Sequence, residues 1–199
     1  MAHRSRETEL HVTDRPRTLW TIGHSTYTLE AFVGILRAHH IEALADVRLL
    51  PGSRRYPHFN RETLAQTLEK VEIVYRHIPE LGGRRKPRSD SPNTAWRNES
   101  FRGYADYMET PDFLHGVDAL QQMAITKRTA IMCAEAVWWR CHRALISDWL
   151  KIRGVEVLHI LSENKVEPHP YTSAAQVTDG QLSYRAPREA STHAELPLS

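Results

Sequence analysis

An α/β fold follows from three features of this sequence: one domain with a mainly parallel sheet of about five strands, covered by helices on both faces. Apolar runs of strand length alternate with segments of helical period. The runs are apolar throughout rather than alternating with polar residues, as in strands buried on both faces. A length of 199 residues suits one compact domain with ragged ends, not two.

Residues 1–16 are polar, charged and aperiodic, and are expected to be a flexible N-terminal tail ahead of an α/β domain spanning 17–163. The first strand is Thr18–Ile22, followed by Gly23-His24-Ser25. Thr28 is placed to cap a helix that carries Leu29, Phe32, Val33 and Leu36 at helical spacing. A second strand, Ala43–Val47, runs into Arg48 and a Pro-Gly turn; Asn60 then caps a helix carrying Leu64 and Leu68. Ile73–His77 reads as the third strand, closed by Pro79 and Leu81-Gly82-Gly83. Residues 84–100 are polar and aperiodic, a loop long enough to be functional or disordered. A helical pattern passes through Tyr104 and Met108, and another opens with Thr110 as cap and Pro111 at its first position, burying Leu114, Val117 and Leu120. Thr129–Cys133 is the fourth strand, and a helix from about Arg140 carries Leu145, Ile146, Trp149 and Leu150 to an end near Gly154. Val155–Ile160 is the fifth strand. The remainder, 164–199, is Ser-, Pro- and Ala-rich and is expected to be a loosely structured tail.

Bulk properties narrow the function classes. Hydrophobic content of 41% and charged content of 25% are ordinary for a globular protein. No apolar run approaches the ~20 residues of a membrane span, so no membrane association is expected. The opening MAHRSRETELHVTDRPR lacks the apolar core of a secretory signal. Two cysteines are too few for a disulfide scaffold, which favours a reducing cytoplasm. A net charge of +2 excludes a strongly basic nucleic-acid coat and leaves local patches. Arginine outnumbers lysine 21 to 5; its rigid fork suits phosphate or carboxylate, although biased codon usage gives the same count.

Chemistry-bearing residues follow the strands. His24 and Ser25 come after the first; Asp46 and Arg48 close the second, with Ser53, Arg54 and Arg55 beyond. His77, Glu80 and the glycine pair follow the third, and Cys133 and Glu135 the fourth. In a parallel sheet these groups converge on one rim, where such folds bind ligands. Each has a plainer reading: His24 as a turn cap, Asp46 paired with Arg48 or Arg54, Gly82-Gly83 permitting an unusual turn, Trp138 and Trp139 as packing. Co-location is what favours a site.

The segment Thr129–Ile146, TAIMCAEAVWWRCHRALI, holds both cysteines together with Glu135, Arg140, His142 and Arg143. A helix N-terminus there suits an anion and lowers a thiol's pKa. Three chemistries compete. One is a nucleophilic Cys133 with Glu135 or a histidine as proton carrier. Six residues separate Cys133 from Arg140, one too many for the phosphate loop of cysteine phosphatases, and glycine is lacking, so that identity is rejected. Another is a metal site from Cys133, Glu135, Cys141 and His142, whose spacing matches no standard zinc pattern. The third is a redox pair of Cys133 and Cys141. Inert buried cysteines are the plain alternative.

Taken together, TIGHS at 21–25, DVR at 46–48 with SRR following, LGG at 81–83, FRGYADYM at 101–108 and CAE…CHR at 133–143 resemble the bacterial and archaeal domain of unknown function 488 family. The likeness runs in order from about Leu19 to about Ile160. It implies a single α/β domain and ties the CAE…CHR and DVR segments to one site, without implying an activity.

These readings lead to an expected enzyme acting on an anionic substrate, a nucleotide or a nucleic-acid end. Cys133 would be the reactive thiol and Glu135 the acid or base. Arg48, Arg54, Arg140 and Arg143, with Ser25, would hold the anion, and His24, Asp46 and His142 would orient groups or move protons. The rival is a non-catalytic nucleic-acid-binding module using residues 84–102, where six basic residues interleave with Trp96 and Phe101. A third possibility is a metal-stabilised fold without catalysis. The sequence sets neither a cofactor nor an oligomeric state.

Overall fold

A computed structural model describes residues 16–186. The expected N-terminal tail, apart from Pro16, and residues 187–199 of the expected C-terminal tail lie outside the described residues. The strands are β1 (Thr18–Gly23), β2 (Ala43–Asp46), β3 (Val74–His77), β4 (Thr129–Cys133), β5 (Glu156–Ser162) and β6 (Lys165–Pro168). They form one sheet in the order β3-β2-β4-β1-β5-β6. The first five are mutually parallel, and β6 joins the β5 edge antiparallel. Helices α1 (Leu29–Ala38), α2 (Arg61–Glu69), α3 (Glu99–Tyr107), α4 (Pro111–Thr126) and α5 (Arg143–Lys151) cover it.

The apolar, buried strands β1, β2 and β4 are explained by two cores, one on each face, whereas the edge strand β3 is half-exposed. Trp20, Ile22, Leu44, Ala130 and Met132 pack with Phe32 and Leu36 of α1 and Leu64 and Leu68 of α2. The intervening residues Leu19, Ala43, Ala45, Ile131 and Cys133 face Tyr104, Phe113, Val117, Leu145 and Ile146 of α3, α4 and α5. Each fully buried side chain of this kind contributes about 1.5–3 kcal/mol.

The caps hold for two helices. Thr28 accepts from the Ala31 N–H at 3.2 Å, and Thr110 accepts from the Phe113 N–H, with Pro111 next to it. Asn60 does not cap with its side chain; its Oδ1 accepts from the Ser53 N–H at 2.6 Å and folds the loop after β2. Leu114, expected in the core, is exposed, because Phe113 takes the inward position beside Gly116, Val117 and Leu120. The helix expected from about Arg140 starts at Arg143; Trp138–Arg140 make a separate short turn.

The sequence predicts about five strands, and the sixth comes from the segment expected to be loose. Lys165–Pro168 is short and polar and ends in proline, features suited to an edge strand and poor as strand signals. Beyond it, β7 (Gln176–Thr178) and β8 (Gln181–Ser183) form a hairpin across Asp179-Gly180, both at positive φ. An Asp-Gly pair between short strands is the sequence signal for that turn. Tyr184 then returns to the core, only 4% exposed. Among the described residues, no helix is long and apolar enough to cross a membrane.

Candidate functional site

β1 and β4 are neighbours, yet their connections leave on opposite faces. α1, after β1, packs on one core and α5, after β4, on the other. Where neighbouring parallel strands diverge in this way, a crevice opens at their carboxyl ends. A cavity of about 620 Å³ lies there, lined by His24, Ser25, Arg48, Cys133, Glu135, Arg140, Cys141 and His142 among others. Its base is the continued β1–β4 ladder, in which the His24 and Ser25 N–H groups donate to the Cys133 and Ala134 carbonyls. Gly23 makes this possible, since a Cβ there would lie 1.8 Å from the Glu135 carbonyl oxygen.

Asp46 and Arg48 form one buried unit. The guanidinium donates to both carboxylate oxygens, at 2.6–3.1 Å, and to the Phe59 carbonyl at 2.8 Å. Tyr75 donates its hydroxyl to Asp46 at 2.6 Å, and burial next to that carboxylate raises the phenol's pKa. Asp46 is fully buried and does not line the cavity; Arg48 does. Remaining Arg48 donor capacity points at His24, Nη1 to Nε2 at 3.4 Å. Burial, reinforced by Arg48, lowers the His24 pKa to about 4. His24 is therefore neutral near pH 7, with Nδ1–H donating to the Ser25 carbonyl and Nε2 left to accept. The ring stacks on Phe59 at 4.1 Å.

On the opposite wall the thiols of Cys133 and Cys141 meet the His142 ring. The two sulfurs and one ring nitrogen all lie within 4.8 Å of one another, and Cys141 Sγ is 3.6 Å from His142 Nδ1. His142 Nε2 faces the Val47 carbonyl at 3.1 Å and must donate to it. The ring lies against Tyr104, 5.1 Å between centroids, and Gly83 packs so closely that a Cβ would sit 2.8 Å from Nδ1. The glycine pair thus serves close approach, since Gly82 has an ordinary φ of −65° and Gly83 is not at positive φ either. Burial opposes ionising Cys141, but the Cys133 S–H, His142 and Arg143 together hold its pKa well below the usual thiol range. Cys133, donating to Cys141 and buried, is pushed well above it.

Arg143, expected to clamp an anion, is 1% exposed and turned away from the cavity lining. It donates to Thr21 Oγ1 at 3.2 Å and to the Glu135 carbonyl at 2.6 Å, bracing the loop after β4 from behind. Arg54 is exposed and also lies outside the lining. Glu135 and Arg140 line the cavity as exposed residues, and the Glu135 carboxylate stands apart from the Cys133–Cys141–His142 group.

Sequence reasoning missed Arg84 as a wall residue. It lines the cavity with a backbone φ of +62°, and Ser25, also in the lining, has +46°. A non-glycine residue in this region costs about 1–2 kcal/mol and such residues gather at functional sites. Tyr104, which braces His142, shows in the sequence as a helix residue within FRGYADYM, with no sign of that role. The basic segment 84–102 is tied down: Arg85 lies over the Tyr107 ring at 3.6 Å, Arg88 pairs with Asp90 and Glu109, and Arg102 donates to the Trp96 carbonyl. Trp96 packs on Phe101 and Tyr184 rather than standing free to stack.

No curated protein and no solved structure matches the chain. A family model described as Domain of unknown function DUF488 matches residues 28–150, which leaves TIGHS just outside and takes in the other four motifs. That match covers more than half of the 199 residues, and the chain belongs to the DUF488 family.

Proposed function

We propose that this protein is an enzyme that acts on an anionic substrate, a nucleotide or a nucleic-acid end, in the cavity at the carboxyl ends of β1 and β4. One observation carries this reading. The cavity lining holds Arg48, Arg84 and Arg140 against a single carboxylate, Glu135, and the Cys133–Cys141–His142 cluster lines the same cavity. Arg84 and Arg140 make no side-chain hydrogen bond or ion pair among the described residues, so their forks are available to phosphate oxygens. Arg48 is already committed to Asp46, and acts by donating to Nε2 of neutral His24 and fixing that ring in the cavity wall. Glu135 is the carboxylate positioned for acid or base work, and Cys133, Cys141 and His142 are the reactive centre. A non-catalytic nucleic-acid module draws less support, because the basic loop spends Arg85, Arg88 and Trp96 on internal contacts.

The test is binding and turnover of ATP and of end-phosphorylated single-stranded DNA. Arg84→Ala and Arg140→Ala should each weaken binding by roughly tenfold or more, the value of a charge-assisted hydrogen bond. The affinity should also fall with added salt. Binding that is absent, or indifferent to both arginines, removes the reading.

A further inference from the structure

The cluster of two sulfurs and an imidazole has the geometry of a metal site with one position open. We infer that Cys133, Cys141 and His142 bind a single zinc ion, whose free coordination position faces the cavity and takes an anionic oxygen of the substrate. This deepens the proposed function and rests on it for the identity of the substrate, though not for the metal.

Four features support the inference. Zinc–sulfur and zinc–nitrogen bonds of about 2.3 and 2.0 Å put neighbouring corners of a tetrahedron roughly 3.5 Å apart. Cys141 Sγ and His142 Nδ1 are 3.6 Å apart, and Cys133 Sγ lies within 4.8 Å of Cys141 Sγ and of a His142 ring nitrogen. Secondly, His142 is oriented as metal-bound histidines are, with Nε2–H donated to a backbone carbonyl, that of Val47, so that Nδ1 is the free donor atom. Gly83 and Tyr104 hold the ring in that orientation from elements remote in sequence. Thirdly, two thiolates with one imidazole suit zinc, and three protein ligands with an open fourth position mark catalytic rather than structural sites. Finally, the opening has a direction. All three residues line the cavity that also presents Arg84 and Arg140, so an oxyanion held by those arginines reaches the fourth position. Glu135, which the sequence suggested as a fourth ligand, is not part of this group, and its carboxylate remains free for proton transfer.

On binding, Cys133 and Cys141 lose their protons to solvent and neutral His142 supplies the Nδ1 lone pair, so the ion and two thiolates are together neutral. Buried Arg143 behind them then offsets the charge of an arriving anion rather than that of the thiolates.

Cobalt(II) serves as the probe on the full-length chain, freed of metal by chelation. The expected result is one equivalent bound, with an intense thiolate-to-cobalt charge-transfer band and visible bands of tetrahedral strength, displaced by zinc. Cys133→Ser and Cys141→Ser should each weaken that band, and His142→Ala should lower cobalt affinity by roughly tenfold or more. The spectrum is read on the unmodified chain, so it stands even where a variant fails to fold. A missing charge-transfer band, or thiols that react equally fast with and without zinc, overturns the inference. ATP binding dependent on Arg140 but without cobalt binding would remove the metal and keep the anionic site. Cobalt binding without any affinity for ATP or phosphorylated DNA would keep the metal and remove the substrate reading.

Discussion

Two groups of side chains adjoin Arg143, a buried histidine chain and a cysteine–histidine cluster, and they differ in whether their hydrogen bonds close. Behind the arginine, His159 Nδ1 meets Thr21 Oγ1 at 2.7 Å, His159 Nε2 meets His169 Nδ1 at 2.9 Å, and His169 Nε2 meets Asp148 at 3.0 Å. Asp148 also accepts from the Thr172 N–H and hydroxyl and from the Tyr184 hydroxyl. Burial drives the His159 pKa to about 2, and Trp138 stacks flat on the ring at 4.4 Å. A neutral His159 lets each ring nitrogen in the chain have one partner, with the protons directed toward Asp148. In front of the arginine, the Cys133–Cys141–His142 group ends in a cavity and leaves soft donor atoms facing it. Both groups are mostly buried and each contains histidine, yet the first is a closed structural network and the second is an open site. Completeness of hydrogen bonding, rather than residue type, separates framework from chemistry.

The comparison can be broken most forcefully at Asp148. Replacing it with alanine strands the donors of His169, Thr172 and Tyr184 in the core, and a loss of about 3–5 kcal/mol in urea denaturation is expected. Cobalt affinity per folded molecule should not change; a parallel loss of both would show the network to be part of the site.

Acid acts on the cavity wall at His24 and on the buried network at His159, histidines that fold in the neutral form. The folded pKa values are about 4 for His24 and about 2 for His159, against 6.5 for the free side chain. The unfolded chain binds the extra protons, so stability is fully present above pH 6.5 and falls as the pH drops. His24 contributes to the loss down to about pH 4, and His159 down to about pH 2. Each contributes a slope of up to about 1.4 kcal/mol per pH unit. Denaturation of His24→Phe and His159→Phe across this range should show correspondingly shallower slopes; unchanged slopes would mean that these rings are not held neutral.

Gly83→Ala is a more selective change. Its Cβ, 2.8 Å from His142 Nδ1, forces the ring to move, and cobalt affinity should fall by roughly tenfold with a stability change within about 1 kcal/mol. Arg84→Gly is the mildest for the fold. It relieves a backbone at φ +62°, leaving stability unchanged or raised by less than about 1 kcal/mol, while ATP binding weakens. Stronger ATP binding by that variant would exclude Arg84 as an anion contact.

Much of this was legible from residue order. The apolar strands β1, β2 and β4 mark the buried parallel sheet, and His24, Ser25, Arg48, Cys133 and Glu135 after them meet where the carboxyl-end rule places them. Its errors have physical causes. Arg143 reads like Arg140, but α5 begins at Arg143 rather than near Arg140, which turns Arg143 into the core and leaves Arg140 in the cavity. Thr21 and His159 touch across 138 residues, and His169 and Tyr184 lie in a polar segment without strand period, so no local pattern announces the buried network. Gly83 looks like a turn residue, and only the fold reveals that it makes room for His142.

The most direct test of the account is X-ray absorption at the zinc edge of the zinc-loaded, full-length chain. A site of two thiolates, one imidazole and an open position gives two sulfur scatterers at about 2.3 Å, one imidazole, and one light atom that changes when ATP is added. A shell of light atoms alone, or one with four protein ligands indifferent to ATP, would contradict it.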